Sequence, residues 1–188
     1  KSLARLAEKG GAEPGEVLGR VTPVEDLVAA ELMIEAVVED AAVKEDVFRR
    51  ADELLPAEAV LASNTSSIPI SSLAAVTARP DRVIGMHFFN PVPVLKLVEV
   101  IRAVQTSGET AVAIVALARD LGKEPAEARA FPGFVSNRIL MPFINEAVYA
   151  LMEGVAEPQA IDTIAKLGFA HPMGPLALAD LIGLDTCV

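Results

Sequence analysis

Short apolar runs alternate with helical patterns along the first 130 residues of this chain, and this alternation restricts its fold more than any other feature. Strands that alternate with helices are typical of an α/β fold with a parallel sheet. The compact apolar run at residues 32–38 predicts a buried strand within it. The predicted strands cover residues 17–21, 32–38, 59–62, 82–89, 97–102 and 124–130, and the predicted helices cover residues 1–9, 24–30, 41–54, 69–76 and 107–121.

The pattern changes at Phe131-Pro132-Gly133, after which only helical spacing remains. We therefore predict a domain boundary near residue 130, with an α/β part over residues 1–130 and an all-helical part over residues 131–188. A helical part of this size cannot bury its own apolar faces, so we expect that it is completed by further chain or by a partner. Its predicted helices cover residues 136–153, 157–167 and 175–184.

Composition narrows the class of partner. The formal net charge is −10 and no basic stripe is present, so nucleic acid is not the expected ligand. The single cysteine, Cys187, excludes an internal disulfide and is not part of a metal-binding pattern, and a reducing cytoplasm is the simplest location. The uncharged stretch at residues 60–78 is rich in serine and contains Pro69, so no membrane span and no membrane partner are expected.

A histidine and a glutamate stand on either side of a proline-bounded turn. His87 lies in the carboxyl-terminal part of a predicted strand, where open α/β sheets place their ligands, and Glu99 lies in the next predicted strand. An imidazole that is oriented by a carboxylate is a general base that works near neutral pH. The alternatives are that His87 is a core histidine with one hydrogen bond and that Glu99 is a solvated strand residue.

Four further polar residues are candidates for the same site. Ser66 belongs to a cluster of small hydrogen-bonding residues after the strand at residues 59–62, and Asn137 lies in the first turn of a predicted helix. Each of these two could instead cap a helix. Glu39 and Lys44 could equally be a solvated acid and a surface lysine. No Gly-x-Gly-x-x-Gly pattern occurs in the 188 residues.

With these residues in hand, the chain closely resembles the short-chain L-3-hydroxyacyl-CoA dehydrogenases, including the 3-hydroxybutyryl-CoA dehydrogenases. The resemblance implies an incomplete Rossmann-like, doubly wound sheet followed by an incomplete all-helical C-terminal domain. The motifs that carry it are Ile34-Glu35-Ala36-Val37-Val38-Glu39, Ala62-Ser63-Asn64-Thr65-Ser66-Ser67, His87-Phe88-Phe89-Asn90-Pro91-Val92-Pro93 with Leu97-Val98-Glu99-Val100, Pro132-Gly133-Phe134-Val135-Ser136-Asn137-Arg138, and Pro172-Met173-Gly174-Pro175.

The resemblance implies the roles of four catalytic residues. His87 is expected to remove the proton of the 3-hydroxyl group while NAD takes the hydride from C3, and Glu99 is expected to orient His87. Ser66 and Asn137 are expected to hydrogen-bond the reacting oxygen and the thioester region. Because Asn137 comes from the helical part, the resemblance implies that both parts contribute to one site.

The resemblance also implies binding residues for cofactor and substrate. Glu39, Lys44, Ser66 and Asn90 match positions that contact the ribose and nicotinamide side of NAD. A second group, Ser2 and Lys9, falls on a helix that reaches the CoA moiety in the family.

The chain also departs from the family pattern. The family begins with a strand–glycine loop–helix unit that holds the NAD pyrophosphate, so we expect that unit to precede Lys1 in a longer enzyme. The family's helical domain continues beyond the residue that matches Val188, and it forms most of a homodimer interface.

The expected activity is the NAD-dependent interconversion of L-3-hydroxyacyl-CoA and 3-oxoacyl-CoA, in fatty-acid or related acyl-CoA metabolism such as β-oxidation. Two alternatives stay open. One is a non-catalytic relative that binds acyl-CoA, although a protein that only binds has no need of a base. The other is a sugar-acid dehydrogenase of the gulonate type, which has the same fold and is distinguished by the substrate that supports turnover.

Overall fold

A computed structural model describes residue 8 and residues 12–187 of the chain. The described part consists of a five-stranded sheet with helices on both faces, followed by a group of helices. The strands are β1 (Leu32–Glu35), β2 (Val60–Ser63), β3 (Val83–Phe88), β4 (Leu97–Arg102) and β5 (Glu124–Arg129). The helices are α1 (Pro14–Leu18), α2 (Ala41–Leu54), α3 (Ile70–Ala75), α4 (Gly108–Asp120), α5 (Ser136–Met152), α6 (Pro158–Gly168), α7 (Pro175–Ile182) and α8 (Leu184–Cys187), with a 3₁₀ turn at Pro80–Arg82.

The strands lie in the order β1-β2-β3-β4-β5. The pairs β1–β2, β2–β3 and β4–β5 are parallel, whereas β3 and β4 are antiparallel. The prediction of an α/β fold is confirmed, but the expectation of a parallel sheet is wrong for the β3–β4 pair. Residues 89–96 join these two strands without a helix, and such a short connection returns the chain antiparallel to the strand that it leaves.

Apolar side chains cover both faces of the sheet. On one face, Phe48 of α2 and Ile70 of α3 join a fully buried cluster with the sheet residue Val83. On the other face, Ile114 of α4 packs with Met86 of β3 and its neighbours. Strands that are covered on both faces need apolar residues along their whole length, as β3 and β4 have in most of their positions.

Gly85 in the middle of β3 allows a close approach between the sheet and α3. A β-carbon at this position would lie 2.9 Å from the Cβ atom of Ile101 and 3.0 Å from Cδ1 of Ile70. Contacts this short force a neighbour to move, so any larger residue would displace the side chain of Ile101 or Ile70. The loop that leads into α3 carries Ser66, and the tight packing therefore helps to set the position of that loop.

The two longest helices of the α/β part begin as their sequences predict. Asp40 precedes α2 and its side chain accepts a hydrogen bond of 3.0 Å from the backbone N–H of Val43. Ser107 precedes α4 and its hydroxyl accepts one of 3.1 Å from the N–H of Thr110. Such caps satisfy backbone donors that have no partner within the helix, and the predictions of helices over residues 41–54 and 107–121 are confirmed.

Two expectations near the amino terminus are wrong, and a third is confirmed only in part. Residues 17–21 are not a strand, because α1 begins at Pro14, a residue that is well suited to the first turn of a helix. Residues 24–30 form no helix but contain a bend at residues 25 and 26. The strand expected over residues 32–38 is confirmed only as β1, which lies at the sheet edge in the described part, and its Ile34 is 39% exposed rather than buried.

The part after residue 133 is helical, as predicted. The expected helices at residues 136–153 and 157–167 correspond to α5 and α6. The one expected at residues 175–184 ends at Ile182, and α8 begins after Gly183. None of the helices in the described residues is long and apolar enough to cross a membrane.

Candidate active site

His87 and Glu99 form a buried pair, which we call the dyad. They stand directly opposite each other in the antiparallel ladder between β3 and β4, the arrangement in which cross-strand side chains meet. The distance from His87 Nδ1 to Glu99 Oε2 is 2.9 Å. His87 is 6% exposed and Glu99 is 4% exposed, so the alternative of a solvated Glu99 is wrong.

The second nitrogen of His87 points to a polar edge of the sheet. His87 Nε2 lies 3.1 Å from the hydroxyl oxygen of the exposed residue Ser66. A carboxylate only accepts hydrogen bonds, so the hydrogen-bond network assigns the ring proton to Nδ1 and leaves the lone pair on Nε2. Phe89 and Phe134 flank the imidazole, with ring centroids 4.8 and 5.9 Å from its own. The dyad thus presents a ring nitrogen with a free lone pair beside a serine hydroxyl, and two aromatic rings flank the imidazole.

The carboxylate of Glu99 is also held from the helical part. The backbone N–H of Ser136 donates to Oε1 at 3.0 Å, and the hydroxyl of Ser136 donates to Oε2 at 2.7 Å. Burial alone would raise the pKa of Glu99, but hydrogen bonds from His87 and Ser136 outweigh it and hold that pKa below its ordinary value. Glu99 therefore stays ionised beside the imidazole.

Asn137 connects the helical part to the other side of the site. Its side-chain amide donates a hydrogen bond of 3.0 Å to the backbone carbonyl of Ser66. The capping alternative fails for both residues, because α5 starts after Val135 and α3 after Pro69 without a side-chain cap in either case. The structure brings Ser66, His87, Glu99 and Asn137 together, as the sequence resemblance implies.

A second group of buried charge, which we call the lysine cluster, consists of Lys44, Glu35 and Glu39. Lys44 is 1% exposed, so the surface-lysine alternative is wrong. Its ammonium group contacts Glu35 Oε1 at 2.7 Å, Glu39 Oε2 at 3.2 Å and the carbonyl oxygen of Val37 at 3.2 Å. The Glu35 carboxylate also accepts from the hydroxyl of Ser63 at 2.6 Å. A buried carboxylate that is surrounded by donors in this way is compensated on all sides.

Glu39 links the lysine cluster to the Ser66 loop. Its carboxylate accepts from the backbone N–H groups of Ser66 at 3.0 Å and Ser67 at 3.1 Å, and also from the hydroxyl of Thr65. Partial burial raises the pKa of Glu39, but hydrogen bonds from the Thr65 and Ser67 hydroxyls, together with Lys44, lower it to about 2. An anionic residue that is 41% exposed therefore lies beside the hydroxyl that meets His87.

The polar edge has the donors and acceptors that a nucleotide cofactor needs. Exposed side chains of Glu39, Ser66 and Asn90 follow the carboxyl ends of β1, β2 and β3, the place where parallel sheets bind ligands. A carboxylate accepts from ribose hydroxyls, and an amide pairs with a carboxamide. Of the predicted binding residues, Ser2 and Lys9 lie outside the described residues.

Sequence reasoning missed three residues of the site. The sequence pattern singles out Asn137 but not its neighbour Ser136, and Glu35 stands out only as a part of a motif. Phe134 has a φ of 50°, a conformation that nothing in its own side chain favours. The one sequence signal for Glu35 was an acidic residue inside an apolar run with a lysine in the following helix.

Comparison with known proteins gives a consistent result along the whole chain. Residues 1–130 match the family model "3-hydroxyacyl-CoA dehydrogenase, NAD binding domain", and residues 133–188 match "3-hydroxyacyl-CoA dehydrogenase, C-terminal domain". A probable 3-hydroxybutyryl-CoA dehydrogenase of Bacillus subtilis is 56% identical over 194 residues, which cover 100% of this chain and 68% of that protein. The human mitochondrial hydroxyacyl-coenzyme A dehydrogenase is 46% identical over 158 residues, covering 84% of this chain and 50% of that protein.

A solved structure agrees with the relatives. The crystal structure of (S)-3-hydroxybutyryl-CoA dehydrogenase from Ralstonia eutropha superposes with a TM-score of 0.92 at 50% identity, covering 99% of this chain and 68% of the other. At this level of identity, the likeness extends beyond the fold to the family.

Proposed function

The chain belongs to the 3-hydroxyacyl-CoA dehydrogenase family, whose NAD-binding model it matches, and we propose that the His87–Glu99 dyad is its acid–base centre. The activity is that of an NAD-dependent oxidoreductase acting on 3-hydroxyacyl-CoA. The observation that carries the proposal is the pair of contacts at the imidazole: Nδ1 on a buried carboxylate at 2.9 Å and Nε2 on a serine hydroxyl at 3.1 Å.

The proposed mechanism assigns the proton to His87. Bound NAD supplies the hydride acceptor for C3 in the oxidation direction. Nε2 of His87 takes the proton of the 3-hydroxyl group, and the positive charge that forms on the imidazole is stabilised by Glu99 inside the protein. In the reduction direction the same nitrogen returns the proton to the 3-oxo group. Phe89 and Phe134 exclude water from this proton transfer.

Ser66 and Asn137 are proposed to hold the reacting oxygen and the thioester region. The Ser66 hydroxyl already lies within hydrogen-bond reach of Nε2, so an oxygen that binds to both groups is placed for proton transfer. Asn137 fixes the carbonyl of Ser66 with one amide proton, which leaves its second amide proton for a ligand. A reacting oxygen held by two donors bears its developing charge at a lower energy than in water.

The cofactor is proposed to lie along the polar edge formed by Glu39, Ser66 and Asn90. Glu39 accepts hydrogen bonds from ribose hydroxyls, and Asn90 contacts the nicotinamide side. Lys44 is proposed as a further cofactor residue. Ser2 and Lys9 remain predicted contacts to the CoA moiety.

The remaining parts of the proposal concern the whole protein. We propose a homodimer formed through the helical part, where several large apolar side chains are exposed, and a role in fatty-acid or related acyl-CoA metabolism in the cytoplasm. The most exposed of these side chains are Met152, Val155, Leu167 and Leu181.

The test is the consumption of NADH with acetoacetyl-CoA by the intact enzyme, compared between the wild type and His87→Gln. Loss of the base should lower kcat about 10²- to 10⁴-fold, with a small change in KM because the base acts in the chemical step. The matched control is His171→Gln, since this second histidine bonds through Nδ1 to the carbonyl of Met173 in the helical part.

Wild-type turnover in His87→Gln would remove His87 from the mechanism. Turnover with a sugar acid and none with acetoacetyl-CoA would favour the gulonate-type alternative. Binding of acetoacetyl-CoA in a calorimeter without turnover of the wild type would favour the non-catalytic alternative.

A further inference from the structure

We propose that Ser136 is a positioning residue for the dyad, holding Glu99 from the first turn of α5 and thereby fixing the orientation of His87. This inference rests on the proposed role of His87 as the base. It adds a residue of the helical part to a pair that is otherwise built entirely by the sheet.

The contacts of Ser136 fix both oxygens of the carboxylate. Oε2 of Glu99 accepts from His87 Nδ1 at 2.9 Å and from the Ser136 hydroxyl at 2.7 Å, and Oε1 accepts from the Ser136 N–H at 3.0 Å. With one oxygen held by the backbone and the other by a hydroxyl, the carboxylate cannot rotate without losing a bond. Because the imidazole is hydrogen-bonded to that same Oε2 atom, its plane is fixed in turn.

A tight turn before α5 places Ser136 at this position. Gly133 has a φ of 76°, and a β-carbon there would lie 3.0 Å from the backbone nitrogen of Arg138, so glycine fits where other residues do not. Phe134 follows with a φ of 50°, and this uncommon conformation is stabilised by burial of its ring, which is 2% exposed. The turn directs the N–H and the hydroxyl of Ser136 at Glu99.

The neighbouring residue acts on the opposite side of the imidazole. Asn137 holds the carbonyl of Ser66 at 3.0 Å, and the hydroxyl of Ser66 meets Nε2. Two consecutive residues of α5 therefore hold the two partners of His87, one on each ring nitrogen. Docking of α5 against the sheet thus sets the position of the imidazole from both sides.

If the contacts between Ser136 and Glu99 served only to stabilise the fold, a Ser136 variant would behave differently from a variant that disturbs the dyad. Glu99 also supplies an acceptor at the amino terminus of α5, where Val135 provides no side-chain cap. If that were all, loss of the Ser136 hydroxyl would lower stability and leave the chemistry of the folded enzyme intact. A positioning role predicts a loss of kcat in enzyme that is fully folded.

The experiment compares Ser136→Ala and Ser136→Thr with the wild type in the intact enzyme. Ser136→Ala keeps the N–H donor and removes only the hydroxyl, so kcat with acetoacetyl-CoA should fall about tenfold, as for one hydrogen bond to a charged group. The KM values for NADH and acetoacetyl-CoA should stay within about twofold. Ser136→Thr keeps a hydroxyl and should restore most of kcat. The matched control is Ser71→Ala, which removes a serine hydroxyl in the first turn of α3.

A second readout follows the imidazole itself. The proton on Nδ1 of a histidine bonded to a buried carboxylate resonates far downfield in the NMR spectrum, and Ser136→Ala should shift or broaden this resonance. An unchanged resonance and unchanged kcat in Ser136→Ala, together with an inactive His87→Gln, would overturn this inference and leave the proposed function standing. An active His87→Gln would overturn the proposed function itself.

Discussion

The dyad and the lysine cluster each contain a buried nitrogen group that is bonded to a buried carboxylate, yet they differ in which of their hydrogen-bonding groups remain free. His87 meets Glu99 at 2.9 Å with one ring nitrogen and keeps the other at the polar edge. Lys44 meets Glu35 at 2.7 Å, and its remaining two protons are used by Glu39 and the carbonyl of Val37.

The difference lies in whether the buried nitrogen group has a hydrogen-bonding position left for a ligand. An ammonium group has three donors and no acceptor, and those of Lys44 all have partners among the described residues. A contact from Lys44 to a cofactor would therefore replace or share one of these bonds. An imidazole with one fixed nitrogen retains a second that can take or give a proton. We therefore expect changes at Lys44 and Glu35 to act mainly on stability and changes in the dyad to act mainly on turnover.

The largest expected effect is on stability, from Lys44→Met. Removal of the ammonium group leaves the buried Glu35 carboxylate without its cationic partner, which costs about 3–5 kcal/mol of the free energy of unfolding. Urea denaturation of the intact enzyme measures this loss. A change of less than 1 kcal/mol in the midpoint-derived free energy would show that Glu35 is compensated by Ser63 and the backbone alone.

The next effect is on turnover, from Glu99→Gln. The amide keeps the size of the side chain but removes the charge that stabilises the imidazolium, so kcat should fall about a hundredfold or more. The same urea measurement should show a smaller loss of stability than for Lys44→Met. If Glu99→Gln unfolds the enzyme more readily than Lys44→Met does, the contrast between the two regions is wrong.

A double variant sharpens the comparison further. Glu35→Gln added to Lys44→Met removes the unpaired charge and keeps an acceptor for Ser63, so most of the stability that Lys44→Met loses should return. The measurement is a double-mutant cycle in urea. Additive losses from the two changes would mean that Glu35 and Lys44 are not coupled.

The smallest expected effect is the acid dependence from Glu39. Its pKa is lowered to about 2 from an ordinary value of 4.5, so its contribution to stability is present above pH 4.5 and is lost as the pH falls through 2. Because the side chain is 41% exposed, the contribution should be below about 1 kcal/mol. Glu39→Gln should flatten the dependence of the urea midpoint on pH in this window, and an unchanged slope would contradict the prediction.

The sequence predicted the alternation of strands and helices because apolar spacing is a local property of the chain. It could not predict that β1 would be an exposed edge in the described part, since the partner of a strand lies elsewhere in the chain. The sequence analysis also did not predict that β4 runs antiparallel to β3, although the connection at residues 89–96 is too short for a helical crossover. Connection length would have been the better guide there.

Some residues of the site could be predicted from the sequence and others could not, because only some of them are marked by a local pattern. His87 and Glu99 were found because they flank one turn, and Asn137 was found through the family motif. The buried state of Lys44 depends on Glu35 from a neighbouring strand, and the role of Ser136 depends on a turn at Gly133 and Phe134 whose dihedral angles no residue pattern specifies. Contacts between distant segments were therefore the part that sequence reasoning could not supply.

The antiparallel pairing of β3 and β4 also bears on the order in which the site assembles during folding. His87 and Glu99 are separated by 12 residues, whereas Ser136 and Glu99 are separated by 37. Closing the longer loop costs about 1 kcal/mol more chain entropy, since that cost grows with the logarithm of length. We expect the ladder amides of β3 and β4 to become protected before that of Ser136 in pulse-labelled hydrogen exchange, and simultaneous protection would contradict this. The acid–base pair would then be the first part of the site to form, and the helical part would complete it last.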